Sequence, residues 1–527
     1  ARLHHRKRRK AMARCSLPIP RSPMIIDPEP SGSGGPDDDA RLLARFGYRQ
    51  ELRRGMGGFS NFALSLSIIC ILAGGVTSFH LGLCGVGGAS VGLGWPLVCL
   101  FALAIAATMA QVASAFPTAG GLYHWACLLG GRGWGWATAW FNLLGLVTVL
   151  AAINVGTWQF ARGWFWTSYG GAAIPMAQVI GVALITASQA LLNHLGIRLT
   201  TRLTDLSGYL ILTVAVALTA AMLVCATDPD PARLVTFSNY SGPSGANVWP
   251  QTGSLAGLFA LGLLLPAYTL TGFDASAHAA EETRGAALSV PRGIVRSVAV
   301  SGFFGWAMLS AVVMAIPDMK AAAAQGERAF PWVMRAVLQR GFANVLAVGI
   351  ALAMYGAGLG AVTSASRMAF AFARDGGLPG STFLRRVSPT SSTPTFAIWA
   401  VAASAWLFTV WTPFYATITA VCSIFLYISY VLPTALGALA YRRSWTAMGP
   451  WDLGRWYRPL AALAVVGCTA LVVIGMQPPN ERSIVIVGGT ILSLAIAWFA
   501  RERRRFPGPP RLADDGLGTK TSLQNDS

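Results

Sequence analysis

Charged residues are scarce in this chain: 12% of its 527 residues are Asp, Glu, Lys or Arg, about half of what the surface of a soluble domain uses. With 54% hydrophobic residues and a mean hydropathy of +0.53, much of the surface must face lipid. Acidic residues are scarcer still, 21 against 40 basic ones. The resulting net charge of +19 does not mark a nucleic-acid binder, because the basic residues sit in the tails and in short stretches between apolar runs. The eight cysteines lie mostly inside apolar runs, with no CxxC pair and no His/Cys cluster of zinc spacing. They read as small packing residues, not as a disulfide frame or a metal site. The six histidines show no HExxH or other catalytic spacing, which argues against a membrane enzyme. The glycines between Gly82 and Gly94 lack the GxxxxGK[ST] pattern of a phosphate loop and read as a flexible connection. The basic start at Lys7 to Lys10 is not followed by an apolar h-region before about residue 60, so no secretory signal is evident.

What the chain does have is a succession of long apolar runs. About 20 apolar residues rising 1.5 Å each cross a hydrocarbon core of roughly 30 Å. Runs of this kind lie near 60–82, 95–115, 134–160, 173–192, 204–226, 254–276, 294–316, 342–371, 396–412, 415–440, 459–476 and 483–500. Only Trp411 to Pro413 divides the pair after residue 396. The expectation is an all-α integral membrane protein of about 12 transmembrane helices over 41–500. A disordered tail rich in Pro, Gly, Ser and Asp is expected over 1–40, and a second tail over 501–527. With both termini cytoplasmic, only seven of the 40 Lys and Arg fall outside: Arg162, Arg233, Lys320, Arg328, Arg335, Arg340 and Arg482. That asymmetry follows the positive-inside rule and favours this partition. The outside segments, about 227–253 and 317–341, are too short for an enzyme or receptor ectodomain, so the working parts lie within the membrane.

Two runs are interrupted. The first carries Gly74-Gly75 near its middle, and the sixth carries Pro266, Gly272 and Asp274. Broken helices at matching positions of two halves point to an inverted-repeat transporter and its substrate site. Amides freed at a half-helix N-terminus attract a carboxylate, and freed carbonyls accept from an ammonium group. Asp274 is costly inside a span and is therefore a functional candidate. It can bind a cationic substrate, carry a coupling proton, donate as a neutral acid, or cap the lower half-helix.

Several segments resemble one superfamily. Phe116-Pro-Thr-Ala-Gly-Gly-Leu-Tyr123 resembles the PTaGGxY signature of amino acid–polyamine–organocation permeases. Thr271-Gly-Phe-Asp-Ala-Ser-Ala-His-Ala-Ala-Glu-Glu-Thr283 with Val290-Pro291-Arg292 resembles its sixth-helix motif, and Ser364 to Pro379 its eighth-helix ending. Leu43-Ala-Arg-Phe-Gly-Tyr-Arg-Gln-Glu-Leu-Arg-Arg54 is similar to the amino acid/choline subgroup, which includes γ-aminobutyrate and choline permeases. The resemblance covers about 41–500. It implies a LeuT-type fold of 5+5 inverted repeats plus two extra helices, working by alternating access.

By that resemblance Ala73, Gly74, Gly75 and Val76 would hold the substrate carboxylate, and Tyr268 and Thr269 would lie at the sixth-helix break. Phe273 would either close over the site or face the core or lipid. Thr363 and Ser364 fall near the hydroxyl ligands of sodium-coupled relatives, or pack helices. The fifth helix lacks the lysine some permeases use in place of sodium, having only Arg202 and Asp205 near its cytoplasmic end. A proton gradient is therefore expected in preference to sodium, with Asp274 the one candidate carrier and no bound cofactor. Glu281, Glu282 and Arg292 lie at the foot of the sixth helix, where Glu282 with Arg53 or Arg132 would form a gate, or where the charges form a solvated loop.

The expected partners are a small amino acid or amine and the lipid bilayer, with no nucleic acid and the oligomeric state left open. The plasma membrane is the expected location. A choline or polyamine permease is the alternative within the fold, with an aromatic cage in the role of the amides. A non-transporting sensor or a channel is the alternative outside it. A channel would show a repeated filter or charged rings.

Overall fold

The computed structural model describes residues 36–166, 175–241, 252–412 and 415–510. The tails expected over 1–40 and 501–527 fall mostly outside the described residues, as does Pro413. The chain is already helical over Pro36–Arg45, residues 501–505 complete the last helix, and Phe506 is buried.

Among the described residues the fold is all-α, without a strand. Ten helices among the described residues are long and apolar enough to cross a membrane. In chain order they are Gly58–Val86, Ser90–Ala115, Arg132–Phe165, Met176–His194 and Ile197–Cys225, then Ala286–Met314, Arg340–Arg374, Tyr415–Ala440, Gly454–Gly475 and Glu481–Arg505. Two shorter apolar helices, Leu255–Thr269 and Thr395–Trp411, take the sixth and ninth places and bring the spans to the expected twelve. The sixth is short because it breaks and resumes as Ala275–His278.

Burial sorts the spans into a core and a rim. In the most apolar window of spans 1 and 3, 89% of residues are buried; in span 12 only 11% are. Large apolar side chains such as Leu100, Leu184, Val224, Val345, Val485 and Phe499 are exposed on the outer faces, where lipid is their solvent. Span 2 packs on span 7 and span 3 on span 8, contacts between equivalent members of two five-helix sets. Trp95 Nε1–H donates to the Gly302 carbonyl (2.9 Å) across the first of these pairs. Between spans 3 and 4, Asn154 and Gln189 exchange amide hydrogen bonds (2.9 and 3.0 Å), and Asn193 donates to the Leu359 carbonyl of span 8 (3.2 Å). Each of these polar side chains is paired, as burial away from water requires. The frame around the two interrupted helices is thereby fixed.

Candidate functional site

Span 1 breaks four residues earlier than its glycines suggest. Helix Gly58–Ile69 stops at Cys70 (φ 13°, ψ 88°), and the chain resumes as Ile71–Thr77 and Phe79–Val86. The Ala73 and Gly74 amides both donate to the Cys70 carbonyl (2.8 and 3.0 Å). The amides this helix start leaves without a backbone acceptor are those of Ile71 and Leu72, and the Leu72 amide faces the Cys70 thiol. Ala73 and Val76 are buried just above the break. The two glycines differ in role. A Cβ on Gly74 would lie 2.7 Å from Thr269 Oγ1 and 2.9 Å from Thr269 Cα, so this glycine lets spans 1 and 6 touch. A Cβ on Gly75 would meet only Leu309 and Met308 of span 7, at 3.5–3.7 Å.

Span 6 ends its outer half at Thr269, turns through Gly272 (φ +90°), and starts its inner half at Ala275. Side chains take up much of the freed backbone. Tyr427 Oη–H donates to the Ala267 carbonyl (3.0 Å), Thr271 Oγ1–H to the Tyr268 carbonyl (2.8 Å), and Ser65 Oγ–H to the Phe273 carbonyl (2.8 Å). The Gly272 amide donates to Tyr430 Oη (3.0 Å). Asn61 Nδ2 donates to the Ser276 carbonyl (2.9 Å) and to Thr283 Oγ1 (3.0 Å), lacing the inner halves of spans 1 and 6 together.

Asp274 precedes the inner half-helix, but its side chain does not cap it. Its Oδ1 accepts from Tyr430 Oη (2.8 Å) and its Oδ2 from Asn142 Nδ2 (2.8 Å), and His278 Nε2 lies 3.2 Å from Oδ2. Asp274 and His278 are completely buried. Phe273 is buried too, packed on Tyr430 with ring centroids 4.8 Å apart. On the outer side of the break, Tyr268 meets Tyr415 edge-on (6.4 Å), and the Tyr415 hydroxyl bonds to that of Thr77. Thr269 Oγ1–H is turned back onto the Leu265 carbonyl (2.8 Å).

The foot of span 6 is closed by charge. Arg367 of span 8 grips Glu282 through Nε (2.9 Å) and Nη2 (3.1 Å), both side chains being fully buried. Arg374, two turns further on, grips Glu281 (2.8 and 3.0 Å). These pairs correct the expected gate. Arg53 is exposed, and Arg132 is exposed and donates to the Phe506 carbonyl (3.2 Å). Arg292 is exposed as well. It is Arg54 that reaches the foot, donating to the Thr283 carbonyl (2.7 Å). Burial would raise the Glu281 carboxyl, but the Arg374 guanidinium, the Ala119 amide and His124 together hold the group below the usual carboxylate range.

The Phe116–Tyr123 motif has a physical role here. Its Ala119 amide donates to Glu281 Oε1 (3.1 Å), and its Ala119 carbonyl faces His278 Nδ1 (3.3 Å). A Cβ on Gly121 (φ +46°) would crowd Ala277 and His278 at 3.3 Å, so glycine lets this loop lie against the inner half-helix. Just below, Tyr48, Tyr123 and His124 all converge on Asp375 Oδ2 (2.8, 2.9 and 3.1 Å).

Of the sodium candidates, Thr363 Oγ1–H donates to Asn193 Oδ1 (2.7 Å), and Ser364 Oγ is buried without a hydrogen-bond partner. Sequence reasoning missed Asn142, His278, Arg367, Tyr415 and Tyr430. Two of them had a signal: His278 follows Asp274 by one helical turn, and Arg367 is a charge within an apolar run, as Asp274 is.

The profile of the family described as "Amino acid permease" matches residues 56–500. Similar proteins include the amino-acid permease BAT1 of Arabidopsis thaliana, 29% identical over 89% of this chain and 95% of that one. Its homolog in Oryza sativa subsp. japonica is 30% identical over 91% of this chain and 96% of its own length. The GABA-specific permease of Saccharomyces cerevisiae is 28% identical over 68% of this chain and 64% of its own.

Proposed function

The chain belongs to the amino acid permease family, and from that premise we propose that it is a proton-coupled secondary transporter working by alternating access. It is an integral, multi-pass membrane protein that transports amino acids, a transporter rather than an enzyme. Its substrate is an amino acid or a related amine; γ-aminobutyrate is a candidate because one relative is a GABA-specific permease.

The observation that carries this reading is the pairing of two broken helices in the buried core. Gly74, one turn above the span 1 break, presses on Thr269 at the end of the outer half of span 6, and an intramembrane carboxylate lies beyond the second break. The substrate carboxylate docks at the start of the outer half of span 1, on the amides of Ile71 and Leu72 beside Ala73. Its ammonium faces the carbonyl end of the outer half of span 6 near Thr269, with Tyr268 and Tyr415 above. Asp274 carries the coupling proton. In this conformation the cytoplasmic route is shut by the Glu282–Arg367 and Glu281–Arg374 pairs, which must part for the inside to open. The termini are cytoplasmic, as the distribution of basic residues favours, and the plasma membrane is the proposed location.

The test is uptake by purified protein in liposomes with an imposed inward proton gradient, with and without sodium. The panel holds labelled γ-aminobutyrate, choline, a neutral amino acid, a basic amino acid and a polyamine. Saturable, gradient-driven accumulation of one amino acid is the expected result. Uptake that follows sodium and ignores the proton gradient would reject the coupling.

A further inference from the structure

We infer that Asp274 and His278 are a two-residue unit that holds one proton between them, making His278 a second proton-handling group of the transporter. The inference deepens the coupling reading above and rests on it. It comes from hydrogen-bond accounting in which two backbone groups fix every direction.

The Ala119 carbonyl can only accept, so His278 Nδ1, 3.3 Å away, must carry a proton. The Gly272 amide can only donate, so Tyr430 Oη accepts it (3.0 Å) and gives its own proton to Asp274 Oδ1 (2.8 Å). What remains is the 3.2 Å contact between His278 Nε2 and Asp274 Oδ2. With a neutral ring and an ionised carboxylate, two lone pairs would face each other in a fully buried site, which burial penalises. One proton must therefore lie between them. Whether it sits on Oδ2 or on Nε2, the pair has no net charge and has taken up one proton relative to free carboxylate and neutral imidazole.

The surroundings leave this unit isolated in one direction and wired in the other. Span 3 presents the neutral Asn142, and span 10 the Tyr430 hydroxyl and the Cys422 thiol. The loop before span 3 presents Ala119, whose amide donates to Glu281 (3.1 Å), itself held by Arg374. His124 belongs to the separate cluster around Asp375. Its Nδ1 partner is the Thr118 hydroxyl, which can donate or accept, so the same accounting fixes nothing there. Ala119 thus touches both the proton-holding pair and the ion pair that closes the foot. Loss of the shared proton leaves Asp274 facing an unprotonated Nε2 and loosens the inner half of span 6 from that loop. The proton leaves as the cytoplasmic side opens.

The experiment compares wild type, Asp274→Asn and His278→Gln in liposomes, reading gradient-driven accumulation and the pH profile of initial uptake. Glutamine can still donate to Ala119 but cannot hold the proton. Loss of accumulation in both variants, with a flattened pH profile in His278→Gln, is expected. If Asp274→Asn loses accumulation while His278→Gln keeps wild-type accumulation and pH profile, the shared-proton unit is wrong and Asp274 works alone. If Asp274→Asn itself accumulates substrate normally, the coupling reading fails and this inference with it. Infrared spectroscopy of wild type with isotope-labelled histidine rings covers the case of a variant that does not fold. It should show a protonated carboxyl or an imidazolium at the pH of transport. An ionised Asp274 beside a neutral ring would overturn the unit whatever the variants do.

Discussion

The two interrupted helices do unlike things with their breaks. In span 1 the break is a single residue, Cys70, and the amides of Ile71 and Leu72 have no backbone acceptor, the Leu72 amide facing only the Cys70 thiol. In span 6 the break runs from Leu270 to Asp274, and Thr271, Tyr427, Tyr430 and Ser65 reach in to take up the freed backbone. A gap left open is available to a ligand. A gap stitched to spans 1 and 10 transmits whatever happens at its carboxylate to the helices around it. The substrate carboxylate and the coupling proton are therefore assigned to different breaks, though Gly74 and Thr269 hold the two in contact.

Substitutions test this division. The largest effect is expected from Gly74→Leu. Its side chain would run into the Thr269 backbone, which cannot rotate away, so uptake and any substrate-induced rise in thermal stability should both vanish. Retained binding would mean the helices need not touch there. Next is Arg367→Ala, which strands Glu282 in a buried site and should cost about 3–5 kcal/mol. Arg53→Ala and Arg132→Ala, at exposed positions, should stay within about 0.5 kcal/mol. Thermal unfolding in detergent checks all three. Tyr430→Phe removes the donor to Asp274 and the acceptor of the Gly272 amide, an expected loss of about 1–3 kcal/mol. A silent Tyr430→Phe would show that the span 6 break is not held from span 10.

A pH effect of similar or smaller size should come from the foot. Burial raises the Glu281 and Asp375 carboxyls, but Arg374, the Ala119 amide and His124 together hold Glu281 low, and His124, Arg374 and Tyr48 together hold Asp375 low. Their contribution is present above the ordinary carboxylate pKa of about 4 and is lost as pH falls through the lower folded values. Acid titration of Arg374→Gln should show a shallower loss than wild type. The smallest effect is expected at Gly75, where a methyl would meet Leu309 and Met308 at ordinary contact distance. Gly75→Ala should transport nearly as wild type does, against the total loss at the neighbouring glycine.

Much of the fold was legible because its causes are local. Runs of about 20 apolar residues mark spans, and Pro266, Gly272 and Asp274 mark a broken one. The position of the span 1 break was not, since Cys70 carries no turn signal and the conspicuous Gly74-Gly75 pair serves a helix contact instead. Asp274 was legible as a charge in an apolar run and His278 lies one turn on, yet Asn142 and Tyr430 come from spans 3 and 10, which no spacing along span 6 reveals. The gate was misread for a related reason. Arg53 and Arg132 look cytoplasmic in the sequence, whereas the arginine that pairs with Glu282 lies 85 residues away inside span 8. A buried acid needs a buried base, so the apolar runs were the place to look for it.

The division of labour is tested most directly by calorimetry of substrate binding to purified wild type and Asp274→Asn, run in two buffers of different ionisation enthalpy. If substrate docks at span 1 and the proton at span 6, wild type should bind with a proton exchanged with the buffer, and Asp274→Asn should bind with none. A folded Asp274→Asn that cannot bind substrate, or that binds it with the wild-type proton exchange, would contradict the separation of the two roles.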